Sequence, residues 1–369
     1  MKIVFLCGCL EPGCDGVGDY TARLASELIL QDHNVSAISL VDDYKNEVFT
    51  EKQHIKNVDF PVMRLPSKLN NAERIKLVNE WINKYDPDWI SLQFVIYSYH
   101  PKGLPLGLTK LMAGIGNHVK WHVMFHEIWV GIGKTSSLKH KIIGQLQKKI
   151  IVSMIKLVNP KLITTSNILY STILKTINID SIVLPLFSNI AIAPLNKNFV
   201  CSVLNKLGIN SEEELMHWRL AGSFGTLRPD ANFEQILKDQ LFLCESEQLN
   251  MAFIAFGRIG DIGIAEFNRL EKILGNIKFI NLGEQSQENI SNVMQLLNIG
   301  ISSTPLSYIG KSGVFSIMKF HGLDVIIPGD EQFPEYLFQL KKHLSEISNK
   351  NSNIWSVSRI AKNFLKLLS

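Results

Sequence analysis

The sequence is short of cysteine, of long apolar runs, of low-complexity tracts and of net charge, and each shortage removes a class of protein. Five cysteines stand among 369 residues, at Cys7, Cys9, Cys14, Cys201 and Cys244. An odd number without a secretory signal argues against a disulfide framework. Cys7, Cys9 and Cys14 are clustered, but their spacing is not C-x-x-C and no nearby ligand completes a tetrahedron. They read as small buried apolar residues, and no metal is expected. No uncharged apolar run reaches about 18 residues, so no membrane-spanning helix is expected. The opening MKIVFLCGCLEPG is basic and then apolar, yet it is short and leads into glycines rather than a small-residue cleavage site. It reads as the first buried strand of a cytoplasmic protein. The net charge is only +4, and no nucleic-acid-binding module is visible, so nucleic acid is not an expected partner.

What is present describes two α/β halves. Apolar residues make up 46% and charged residues 20%, a globular balance, and the length suits two cores. In the first half, short apolar runs at Lys2 to Cys9, Val35 to Val41, Trp89 to Phe94, Trp121 to Phe125 and Leu162 to Thr165 alternate with helical or turn-rich sequence. The second half repeats this at Trp218 to Ala221, Met251 to Phe256, Ile277 to Asn281, Ile299 to Ser302 and Asp324 to Ile327, with a helix at Phe233 to Phe242. Such alternation predicts parallel sheets covered on both faces. The loop-like PLFSNIAIAPLNKN marks the boundary, giving domains at 1–190 and 191–350. The last stretch, 351–369, carries Ile354, Val357, Ile360, Ala361, Phe364 and Leu368 at helical spacing and reads as a helix closing back on the first domain. Two doubly wound domains place a ligand in the crevice between them, at the carboxyl ends of the strands.

Three stretches carry candidate chemistry. The loop Glu11 to Thr21, EPGCDGVGDYT, joins the first strand to its helix. Its glycines permit close backbone approach, and the helix start suits a phosphate. The spacing is neither G-x-G-x-x-G nor a P-loop, so a tight turn with no ligand reads as well. His126 ends the apolar run Trp121 to Phe125 and is followed by Glu127. An imidazole titrating near neutrality suits hydrogen bonding to a sugar or proton handling; a structural histidine is the alternative. His122 shares the strand face and is read as structural. Gln93 and Tyr97, after another strand, are candidate acceptor-binding residues, or only packing.

The stretch GVGDYTARLASEL resembles the glycine turn that opens many family 4 retaining glycosyltransferases, which have the GT-B fold. The resemblance implies that Gly16, Gly18, Asp19 and Tyr20 approach the donor diphosphate and the acceptor, and that His126 with Glu127 contacts the donor sugar. The second half departs from the family. Its G-R-x-x-x-x-K-G loop becomes Gly222 to Asn232, with Thr226 and Ala231 where the arginine and lysine belong. Arg228 then supplies the cation from a shifted position, with Arg258 a second candidate. The family's E-x7-E glutamates fall on Ile309 and Ile317. Gly310, Lys311, Ser312 and Gly313 still read as a loop feeding a helix start, suited to a diphosphate. Gly225, and Gly283 with Glu284, also match the family's donor side. Losing the carboxylate that faces the ribose leaves a deoxyribose carrier less disfavoured, which predicts comparable affinity for UDP and dTDP.

Asp86-Pro87-Asp88 matches D-x-D but reads as turn chemistry. Between Pro101 and Lys161 lie ten lysines and one acid, Glu127. Such a field attracts anionic membranes or substrates, and 138–157 reads as an interfacial helix or as an ordinary lobe-surface helix. The expectation is therefore a metal-independent glycosyltransferase whose only co-substrate is a nucleotide diphosphate-sugar, with a glycan, lipid-linked or small-molecule acceptor. It is cytoplasmic, with peripheral membrane contact possible through 138–157. A nucleotide-sugar epimerase and a non-catalytic sugar-nucleotide or glycan-binding protein are the rivals.

Overall fold

The computed structural model describes residues 1–55, 57–329, 332–348 and 352–369. The chain divides into two compact units, Met1–Pro185 with Val357–Ser369, and Leu186–Ser356.

The first unit runs β1 (Lys2–Cys7), α1 (Gly16–Leu30), β2 (Asn34–Asp42), β3 (Phe49–Ile55), β4 (Val58–Pro66), α2 (Asn71–Tyr85), β5 (Trp89–Phe94), α3 (Leu108–Ala113), β6 (Lys120–Phe125), α4 (Leu138–Val158), β7 (Leu162–Thr165), α5 (Ile168–Lys175) and β8 (Ile182–Val183). Its sheet has the order β3-β4-β2-β1-β5-β6-β7-β8. All neighbours pair in parallel except β3 with β4. The central strands are buried along nearly their whole length, as parallel strands covered on both faces must be.

The second unit runs α6 (Lys197–Leu207), α7 (Glu212–Leu215), β9 (Trp218–Phe224), α8 (Phe233–Ser246), β10 (Asn250–Phe256), α9 (Gly260–Ile273), β11 (Lys278–Asn281), α10 (Gln287–Leu296), β12 (Ile299–Ile301), α11 (Gly313–Phe320), β13 (Asp324–Ile326) and α12 (Leu337–Ser348). Its parallel sheet has the order β11-β10-β9-β12-β13. Two apolar clusters flank it, one around Leu220, Ile254, Met294 and Ile317, the other around Phe233, Phe253, Phe267 and Leu270. The alternating α/β plan predicted from sequence is the plan observed, with a switch in strand order next to the first strand of each unit.

Three details differ from the sequence reading. The hairpin of β3 and β4 was not predicted: β3 is a polar edge strand with alternating exposure, which reads as loop. The last helix does not run from Asn353. Ser352–Trp355 forms one 3-10 turn in the second unit, where Trp355 packs edge-on against Phe315 at 5.4 Å, and α13 (Val357–Leu368) then joins the first unit. There Ile360, Ala361, Phe364 and Leu368 are buried, and Phe364 lies 6.0 Å from the Phe5 ring and 5.1 Å from that of His122. The first division falls after Pro185, against an expected 190; the expected 350/351 boundary lies outside the described residues.

Candidate active site

The carboxyl ends of the parallel strands gather most of the candidate residues, and each unit is described on its own. In the first unit, β1 delivers the glycine loop. Asp15 caps α1, accepting from the N–H of Val17 at 2.8 Å and of Gly18 at 3.4 Å. Asp19 folds back, and its Oδ1 accepts from Gly13 N–H at 3.0 Å. At this helix start the Asp15 and Asp19 carboxylates stand close by, and the N–H groups of Val17 and Gly18 are engaged by Asp15. Gly18 has a packing reason: a Cβ there would stand 2.4 Å from the Cys9 carbonyl oxygen. A Cβ at Gly16 would meet nothing within 4 Å. Asp19 is likewise partly committed to its own loop rather than presented whole to an acceptor.

The loop is tied down by a residue that sequence reading missed. Arg64, on β4 and 3% exposed, donates to Glu11 in the loop and forks onto Asp42 at the end of β2, through Nε at 2.8 Å and Nη2 at 3.1 Å. Glu51 of β3 lies 3.7 Å from Nη1. Its only sequence signal is one guanidinium inside the otherwise apolar VMRLP.

His126 stands at the end of β6 and is 8% exposed. Its Nε2 lies 3.0 Å from Gln93 Oε1, and the Tyr20 ring meets it edge-on at 5.0 Å. Burial pushes the imidazole down to about 3, so it is neutral at physiological pH. Of the two expected uses, hydrogen bonding and proton handling, a neutral buried ring favours the first. Glu127 is half-buried beside it. Gln93 is 1% exposed, and both ends of its amide are engaged, with His126 and with Ser91 Oγ at 2.9 Å. Its side chain is thus buried and committed to these two partners. Tyr97 is exposed. Tyr20 is buried, and that burial pushes its phenol up.

In the second unit, three loops converge where β9 and β12 end. Gly225 has φ +80, and a Cβ there would lie 3.8 Å from Val314 at the start of α11. Ser303 donates to the Thr226 carbonyl at 2.5 Å, and Thr304 Oγ1 donates to Ser312 Oγ at 3.2 Å. Gly225, Ser312 and Gly313 are thus brought together, with Gly310 and Lys311 in the 3-10 turn just before. The Ser312 hydroxyl is the cap of α11, accepting from Phe315 N–H at 3.2 Å, and as acceptor in this bond and in that from Thr304 it keeps its own proton to donate. Lys311 Nζ stands 5.6 Å from the centre of the Tyr308 ring.

Neither arginine candidate presents an open fork. Arg228 closes onto Asp230 at 3.0 and 2.6 Å, and Arg258 onto Glu284 at 3.0 and 3.2 Å. Both pairs are exposed, so each is weak and exchangeable. Gly283, at φ +64, donates no contact to this pair but accepts at its carbonyl from Gly257 N–H at 2.8 Å. Ile309 and Ile317 are buried, at 5% and 3% exposure. Among the described residues no cluster of three or more His, Cys, Asp or Glu side chains has metal-binding geometry.

No protein-family model and no curated protein matches this chain. Solved structures do. A glycosyltransferase from Rickettsia africae ESF-5 aligns over 100% of this chain and 97% of its own, at 14% identity and a TM-score of 0.55. Anabaena HepE in complex with UDP and glucose aligns over 100% and 99%, at 14% identity and 0.53. A putative UDP-N-acetylglucosamine 2-epimerase from Listeria monocytogenes aligns over 99% and 95%, at 13% and 0.50. At such identities the likeness is one of fold, and the fold is GT-B.

Proposed function

We propose that the protein is a glycosyltransferase that takes a sugar from a nucleotide diphosphate donor and passes it, with retention of configuration, to a glycan, lipid-linked or small-molecule acceptor. The observation carrying this reading is the convergence of the Gly225, Ser303 and Ser312 loops at the start of α11. On this fold HepE holds UDP and glucose. The diphosphate is assigned to the N–H groups of Gly313 and Val314 and to the Lys311 ammonium, which stabilise the charge that develops as it departs. Arg228 and Arg258 contribute only by leaving Asp230 and Glu284. His126, neutral, positions a sugar hydroxyl. No cofactor and no metal is assigned a step.

The test is thermal shift against UDP, GDP, dTDP, ADP and CMP. A ligand at about a hundred times its Kd stabilises the folded state by about 2.7 kcal/mol. One carrier is expected to raise the midpoint, Lys311→Ala to reduce that shift, and UDP and dTDP to bind comparably. A strong UDP preference removes the deoxyribose argument. No shift with any nucleotide at millimolar concentration overturns the donor site. The buried Ile309 and Ile317 favour one alternative, a protein that binds the nucleotide-sugar without turnover, seen as a shift with no transfer; conversion of the sugar without acceptor would mark an epimerase.

The acceptor side is proposed to reach anionic membranes through α4. Leu138, Ile142, Leu146 and Leu157 are exposed there, among Lys139, Lys141, Lys148, Lys149 and Lys156, and the helix holds no acid. Among the described residues no helix is long and apolar enough to cross a membrane, so this contact is interfacial. Co-sedimentation with phosphatidylserine vesicles is expected to fall with salt and with Leu138→Ser/Ile142→Ser. Equal binding to neutral phosphatidylcholine vesicles would contradict it.

A further inference from the structure

A chain of buried polar groups crosses β5, β6 and β7 behind His126. Gln93 Oε1 lies 3.0 Å from His126 Nε2, and Gln93 Nε2 lies 2.9 Å from Ser91 Oγ. Ser91 Oγ is 2.8 Å from His122 Nδ1, and His122 Nε2 is 2.8 Å from Thr164 Oγ1. Thr164 Oγ1 ends the chain 2.9 Å from Met124 Sδ. Gln93, Ser91, His122 and Thr164 are each at most 1% exposed. The parallel register makes the chain possible, setting Ser91 opposite His122 and Gln93 opposite Met124.

The chain has one direction because one end accepts only. A thioether sulfur has no proton, so the Thr164 hydroxyl donates to Met124. Thr164 then accepts from His122, whose Nε2 carries the ring proton. Burial keeps His122 neutral, so its Nδ1 is a lone pair and accepts from Ser91. The single Ser91 proton is thereby used, and Ser91 accepts from the Gln93 amide nitrogen. The amide orientation is now fixed, and Gln93 Oε1 faces His126 Nε2, which must donate.

We infer that Gln93 is a positioning residue: it holds His126 as the Nε2–H tautomer and leaves Nδ1 as a hydrogen-bond acceptor. Among the described residues no hydrogen bond to His126 Nδ1 is formed; Gln93 faces Nε2 and the Tyr20 ring meets the imidazole edge-on. A bare imidazole lone pair accepts from a hydroxyl or N–H and repels a phosphate oxygen. The site around His126 therefore selects a hydroxyl-bearing part of the ligand. That last consequence rests on the glycosyltransferase reading; the tautomer does not.

The test is long-range proton–nitrogen NMR of the imidazoles in the nitrogen-15-labelled full chain at pH 7, without nucleotide. His126 and His122 are both expected in the Nε2–H form. Either ring in the Nδ1–H form, or averaging between the two, overturns the inference. Gln93→Leu removes the acceptor at His126, which is expected to populate both tautomers while the His122 signals stay in place. A His126 spectrum unchanged in a folded Gln93→Leu variant overturns the positioning role, even if the variant still binds nucleotide. Failure of every nucleotide to bind leaves these spectra as they are, so the two readings fail separately.

Discussion

Replacing Arg64 by methionine is expected to destabilise the first unit by about 3–5 kcal/mol, the range for removing one partner of a buried ion pair. Asp42 is fully buried, and among the described residues Arg64 is the one cation paired with it, with two hydrogen bonds; the Ser39 hydroxyl and Tyr44 N–H also donate to it. Burial by itself pushes the Asp42 carboxyl up, but the guanidinium, the Ser39 hydroxyl and the Tyr44 N–H outweigh it and hold it below its ordinary value. A depressed carboxylate contributes stability above its unfolded value, about 3.9, and loses it as pH falls through the folded value. In Arg64→Met only the Ser39 hydroxyl and the Tyr44 N–H still oppose burial, so the folded value rises and the stabilising depression is lost. The deficit against wild type is therefore largest near pH 7 and narrows as pH falls below about 4. Urea unfolding of both proteins at pH 7.5 and in mild acid reads this directly. A deficit under 1 kcal/mol, or one that grows in acid, would show that water or another cation reaches Asp42. The loss would extend to the glycine loop, because Glu11 is held there by the same guanidinium.

That cluster also marks where sequence stops being informative. The buried strands were legible because a parallel sheet covered on both faces demands uninterrupted apolar runs, as KIVFLC and WISLQF supply. His126 was legible by place alone, as the residue just past such a run. Its neutrality was not, because that depends on Tyr20 and Gln93 closing over it from α1 and β5. Arg64, Asp42 and Glu11 lie on three different elements and meet only through the pairing of β2 with β4. Ser91, His122 and Thr164 are separated by 31 and 42 residues and align only in the folded sheet. Arg228 and Arg258 looked available because their partners, Asp230 and Glu284, are a matter of rotamer and loop path. The break before α13 was hidden because Ile354 and Val357 keep helical spacing across it. Local pattern reports which face is buried; it does not report which polar groups find each other.

Placing a glutamate at 317, where the resemblance to family 4 puts the second carboxylate of E-x7-E, is expected to unfold the second unit rather than to create a ribose contact. Ile317 lies on α11 inside the cluster of Leu220, Ile254 and Met294, with 3% of its surface exposed. No cation among these neighbours would pair with a carboxylate, so it would enter either charged and unpaired or protonated. An uncompensated buried charge costs about 3–5 kcal/mol. Protonation relieves part of that cost, so the introduced group's value rises and the variant regains stability as pH falls below about 4.3. Ile317→Met, which keeps volume and polarity, is expected to cost under about 1.5 kcal/mol. The comparison of the two by urea unfolding separates charge from shape. If Ile317→Glu were tolerated at neutral pH and sharpened the preference for UDP over dTDP, the position would face the nucleotide, and the donor site would be the ordinary one with a carboxylate missing. If it collapses as expected, position 317 is core and offers no ribose contact. Whatever nucleotide it holds must then be gripped through the diphosphate, by the start of α11 and Lys311, with the ribose hydroxyls left to other groups.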